Sequence, residues 1–220
     1  MSRKMIKKIV CPHCSASVDT ELWSSINVTQ DPAARARIMD ESLFSWCCPE
    51  CGYQAKLLYP CLYHDMDRKF MVYLIPELAQ NSLSDPVVEK QFPELSDIKK
   101  RLVTDLNAMK EKVLLFEAGL NDKAIELTKL ALSEVLAKRR GQAVSTGYFC
   151  SYDEEQNRLG FTFFLKGEPE PCYQGTRRQV YEKSLEIVGH FSPAQQDGAG
   201  FIRIDGAWAS EILKQYRSEL

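Results

Sequence analysis

The chain has 220 residues, 45% of them apolar and 26% charged, and a formal net charge of −2. These ordinary values exclude extended disorder and any whole-molecule field that would draw the chain onto nucleic acid or an anionic membrane. No run approaches the roughly 20 apolar residues of a membrane span. The basic N-terminal stretch also lacks the roughly 7–15 apolar residues of a secretory signal, so the reading is a cytoplasmic protein with no membrane partner.

In chain order, Lys4–Val10 reads as a strand entering Cys-Pro-His-Cys at 11–14, and a polar strand follows over Ser15–Val28. Asp31-Pro32 looks like a helix start, with Asp as cap and Pro in the first turn, for a helix over Ala33–Met39. Leu43–Trp46 is strand-like and enters Cys-Pro-Glu-Cys-Gly at 48–52. Gln54–Tyr63 and Lys69–Ile75 then read as a hairpin turning at His64–Arg68. Asp85-Pro86 is a helix-start or turn signal. From Ser96 onward, Ile98, Leu102, Leu106, Met109, Val113 and Phe116 recur at spacings of three and four, the stripe of one helix face. Gly119 suits the position past a helix end, Asn121 or Asp122 caps a second helix through Arg140, and Gly141 stops it. The short link makes an antiparallel helical hairpin. Beyond it, Val144–Tyr152 and Phe161–Lys166 read as strands, Thr176–Val188 as helix, Phe201–Ile204 as a short strand and Trp208–Tyr216 as a helix capped by Asp205. Gln195–Gly200 is the most loop-like stretch.

The chemistry concentrates in the cysteines. Of eight, Cys11, Cys14, Cys48 and Cys51 form two Cys-Pro-x-Cys pairs separated by Ser15–Cys47. Two intervening residues let a tight turn aim both sulfurs at one ion, and two such knuckles complete a tetrahedral thiolate site. In a reducing compartment, metal ligation comes before disulfides. Zinc is favoured, because four thiolates with no vacancy suit a redox-silent structural ion; iron, which rubredoxin-like knuckles also hold, is the lesser alternative. Gly52 permits a positive φ after the second knuckle, whereas the first carries Ser15 there. Cys47 breaks the duplicated spacing and is read as a strand residue facing elsewhere, and His13 as exposed. Lys4, Lys7 and Lys8 are near enough in sequence to offset the charge of four thiolates.

These motifs resemble the CpXC domain proteins of bacteria and archaea. The resemblance rests on Cys-Pro-His-Cys (11–14), Cys-Pro-Glu-Cys-Gly (48–52), Leu-Tyr-Pro-Cys-Leu-Tyr-His-Asp (58–65) and Phe-Glu-Ala-Gly-Leu-Asn-Asp (116–122), and it covers roughly Lys8 to Arg140. It implies the paired cysteines as metal ligands and assigns no activity.

The reading is therefore an α+β protein: a zinc-ribbon-like β module over residues 1–80, a helical region with an antiparallel hairpin over 81–141, and a mixed α/β region over 142–220. Its expected role is a non-catalytic zinc-binding protein, acting as a protein-interaction or self-association module. One rival is nucleic-acid binding through the ribbon and its lysines. A second is a hydrolase-type enzyme using Cys61 and His64, with Asp65 beside them, or an unrecognised site after residue 141.

Overall fold

The structure, a computed structural model, describes residues 2–77, 82–83, 97–191 and 200–219. The first two strands are long: β1 (Arg3–Val10) and β2 (Ser17–Asn27) form an antiparallel pair. Two short strands, β3 (Ser45–Cys47) and β4 (Gln54–Lys56), make a separate two-stranded ribbon. β5 (Cys61–Asp65), β6 (Phe70–Leu74), β7 (Ser82–Leu83), β8 (Lys99–Val103) and β12 (Phe201–Ile202) join the first pair in a seven-stranded sheet of order β1-β2-β5-β6-β8-β12-β7. Its β2–β5, β6–β8 and β8–β12 pairs are parallel, and the others antiparallel. A second sheet, order β11-β10-β9, holds β9 (Val144–Asp153), β10 (Arg158–Leu165) and β11 (Cys172–Arg177).

Among the described residues, five helices fill the space around the sheets: α1 (Ala33–Met39), α2 (Leu106–Glu117), α3 (Asp122–Arg140), α4 (Arg178–Phe191) and α5 (Gly206–Ser218). α2 packs on β6 and β8 of the large sheet and also on β9 of the small one. Its Met109, Val113 and Phe116 belong to the large-sheet core, and Leu115 to the small-sheet core. α3 packs against α4, α5 and β9, and its first seven residues are all buried. The fold is α+β. No helix among the described residues is long and apolar enough to cross a membrane.

The helix ends follow local chemistry. The Asn121 side chain accepts from the Lys123 and Ala124 amides, Gly141 closes α3 at φ 68°, and Asp205 accepts from the Ala207 and Trp208 amides. At α1 the Asp31 cap does not form: Pro32 occupies the cap position with no side-chain bond.

Four expectations need correction. The helix expected from Ser96 begins at Leu106; the stretch before it is β8, buried between β6 and β12, and Asp105 caps the helix by accepting from Ala108. Leu43–Trp46 is a 3₁₀ turn over Ser42–Phe44 followed by β3. Gln54–Tyr63 is two strands, β4 and β5, separated at Pro60, which has no amide to donate. Thr176 ends β11, and the helix begins at Arg178. The Asp85-Pro86 signal and the stretch 195–199 lie outside the described residues.

Candidate metal centre

The two knuckles are built alike. Cys11–Cys14 sits where β1 gives way to β2, and Cys48–Cys51 where β3 gives way to β4. In the first, the Cys11 carbonyl accepts from the Ser15 amide at 2.9 Å and the Cys11 amide donates to Ala16 at 2.9 Å. In the second, the Cys48 carbonyl accepts from Gly52 at 2.9 Å and the Cys48 amide donates to Tyr53 at 2.8 Å. The residue after each second cysteine is left-handed: Ser15 at φ 59° and Gly52 at φ 74°. Ser15 thus adopts the conformation that Gly52 takes without steric penalty.

The four sulfurs lie within 4.8 Å of one another, with Cys11 to Cys51 and Cys14 to Cys48 each at 3.7 Å. A tetrahedron with metal–sulfur bonds of about 2.3 Å has edges of about 3.8 Å, so the group is placed to hold one metal ion. Cys11 and Cys48 face inward against Trp46, whose indole donates to Thr20 Oγ1 at 3.1 Å; Ile9, Val18, Ala55 and Leu57 complete this small cluster. Outside it, the rings of His13 and Tyr53, one from each knuckle, stack at 6.0 Å. Cys47 is exposed and lies outside the four-sulfur group, its Sγ 3.6 Å from the Gly52 carbonyl. Lys4 is engaged elsewhere, paired to Glu21 at 2.6 Å and lying over the Trp23 ring.

Crowding splits the thiols. Burial pushes Cys11 up, but the Cys14 and His13 amides and the thiols of Cys14 and Cys48 bring it down to about 6. The Tyr53 amide lowers Cys51, yet burial and the other three sulfurs push it up to about 12. One thiolate forms readily, and the thiols of Cys14 and Cys51 resist until a cation arrives.

Because nothing lies within 4 Å of a side chain added at Gly52, Gly52→Ala isolates the conformational cost of the turn. We expect it to weaken the folded ribbon by about 1 kcal/mol, read as a several-fold loss of metal affinity in chelator competition. Unchanged affinity would show that the left-handed turn is dispensable.

Cys61 and His64 are not brought together. Strand alternation puts Cys61, Tyr63 and Asp65 on one face of β5 and His64 on the other. Cys61 is fully buried in the large-sheet core, and burial pushes its thiol up to about 12, far from a nucleophilic thiolate. Asp65 accepts from the Arg68 amide at 3.0 Å and its guanidinium at 2.9 Å, which closes the turn to β6. His64 is 8% exposed, with Nε2 at 3.3 Å from Ser25 Oγ.

Burial holds the His64 imidazole below its usual range. The unfolded chain therefore binds the proton more readily, so stability present at neutral pH is lost as pH falls through the unfolded value of about 6.5. We expect the unfolding free energy from denaturant titrations to drop between pH 7 and pH 5 by less than about 1.4 kcal/mol per pH unit. His64→Gln should flatten that limb, and an equally steep limb in the variant would assign it elsewhere.

Sequence reasoning missed a second cluster, a buried ionic network between β8, α2 and α3. Arg101 Nε and Nη2 meet the Asp122 carboxylate at 2.7 and 3.0 Å, and Lys112 reaches Asp122 at 3.1 Å and Glu126 at 3.2 Å. Lys129 binds Glu111 at 2.9 Å and Glu126 at 3.0 Å, and Glu111 also accepts from the Phe149 amide at 2.6 Å. Burial opposes ionisation of Asp122, but Arg101 and Lys112 hold it well below the usual carboxylate range. The available signal was the spacing of Asp122, Glu126 and Lys129, which is one helix face.

Two strand-to-strand cysteine knuckles with converging sulfurs, set on a larger two-sheet body, define a cysteine-knuckle protein whose four sulfurs are placed to hold a metal ion. The chain belongs to the CpXC family: the family model described as CpXC protein matches residues 9–129. That match runs past the knuckles and takes in every α2 and α3 residue of the ionic network. No curated protein and no solved structure matches.

Proposed function

We propose that Cys11, Cys14, Cys48 and Cys51 hold one Zn²⁺ as a structural staple, in a non-catalytic cytoplasmic protein that acts through protein interaction or self-association. The observation that carries this reading is the group of four sulfurs within 4.8 Å, set on two knuckles with the same hydrogen-bond pattern. Four thiolates fill a tetrahedron and leave no position for an activated water, which favours a structural over a catalytic ion. Zinc is preferred to iron because the closed site needs no redox chemistry. The cluster behind the cysteines contains one tryptophan and a few aliphatic side chains, too little to fold without an ion.

Elemental analysis of the purified protein tests the metal: one zinc per chain is expected. The absence of any stoichiometric metal would end the reading, and iron in that stoichiometry would replace zinc in it. Light scattering with and without chelator tests the association role. A mass unchanged across concentration would remove self-association.

A further inference from the structure

A groove of about 1020 Å³ runs between the exposed side of α3 and the edge of the small sheet. One wall carries Leu132, Val135 and Arg139 of α3; the other is β11 from Gln174 to Arg177, continuing into the first turn of α4. β11 is an edge strand, so one row of its amides and carbonyls points away from β10. Such an edge beside a helix is the geometry in which an extended peptide adds as a further strand.

The charges say what kind of peptide. Arg139, Arg158, Arg177 and Arg178 line the groove against one carboxylate, Glu182, which is already bound to Arg178 at 3.1 Å. Among the described residues no carboxylate pairs with Arg139, Arg158 or Arg177. Arg158 and Arg177 are direct cross-strand partners, an arrangement of like charges that costs stability unless an anion spans it. No aromatic ring lines the groove among the described residues, so it lacks the stacking surface that single-stranded nucleic acid uses.

Strand alternation sharpens the specification. Thr176 pairs with Leu159, on the helix-facing side of the sheet, while Arg177 pairs with Arg158 on the other. A strand laid along β11 turns every second side chain toward Leu132 and Val135, and the intervening ones toward Arg158 and Arg177. We infer that this groove binds an extended segment of a partner protein in which acidic and small apolar residues alternate, added to β11 as a fourth strand. This rests on the reading of the protein as an interaction module.

The test uses the full, metal-loaded chain and a labelled peptide, acetyl-Glu-Val-Glu-Val-Glu-Val-amide. Fluorescence anisotropy at low salt should show binding that weakens as salt is added. The double variant Arg158→Ala/Arg177→Ala should bind about tenfold less tightly. Hydrogen exchange should show new protection at Gln174–Arg177 in the complex. Three results would overturn the inference: no binding at low salt; equal binding of the block peptide Glu-Glu-Glu-Val-Val-Val without protection of β11, which is charge capture alone; or a single-stranded oligonucleotide that outcompetes the peptide and is lost in the same variant. The substituted residues lie outside the knuckles, and zinc content is measured on the same samples. A failed groove with intact zinc therefore removes only the groove, whereas missing zinc removes the staple.

Discussion

If the four cysteines hold the proposed zinc, stripping it with a chelator, or substituting Cys48→Ser, should lower the thermal midpoint by at least about 10 °C, because several kilocalories of folding free energy would then reside in the metal–thiolate bonds. Cys48 is the sharpest probe, since it is buried and its loss leaves three sulfurs around an incomplete tetrahedron. The damage should begin at Trp46, whose fluorescence should shift to the red as water enters its cluster. It should then spread, since β2 leaves the first knuckle and enters the large sheet, where Leu22 and Ile26 are core residues. Cys47→Ser is the internal control: Cys47 adjoins Cys48 but stands outside the four-sulfur group, and its substitution should change the midpoint by less than 2 °C or so. A Cys48→Ser protein that lacks metal and melts at the parent temperature would refute the staple.

Asp122→Asn should cost about 3–5 kcal/mol in denaturant unfolding while leaving the metal content unchanged. The substitution keeps the shape but removes the charge between Arg101 and Lys112, both 2% exposed or less. Two buried cations then face each other with less compensation, and this residue is costly because its partners cannot turn to solvent. The pH dependence has a definite sign. Asp122 is depressed in the folded state, so its stabilisation is complete above the unfolded carboxylate value of about 3.9 and fades as pH falls toward the lower folded value. The parent should lose stability through this acid range and the variant should lose less. A change below about 1 kcal/mol at neutral pH would mean that water reaches the network.

The parts of the fold legible in the sequence are those whose cause is local. Two Cys-Pro-x-Cys turns, an Asn cap at 121, an Asp cap at 205 and a left-handed Gly141 each act within a few residues, and each stands where its chemistry places it. β8 was illegible because its cause is distant. Ile98 and Leu102 continue the apolar spacing of α2, so periodicity extends the helix backward. What makes 99–103 a strand is the space between β6 and β12, and Arg101 tolerates burial there because Asp122 waits on α3. A count of apolar positions reads a buried arginine as surface, so the ionic network stayed hidden along with the strand. Cys61 and His64 illustrate the converse: catalytic residue types adjacent in sequence are separated by the alternation of one strand.

β12 is two residues long, yet it completes a sheet that begins at Arg3, lying between β8 and β7. On a ribosome adding roughly 5–20 residues each second, the knuckles emerge and can close on an ion on the order of ten seconds before Phe201 appears. The nascent protein therefore spends that interval with all four knuckle cysteines made and the β12 side of β8 still unpaired.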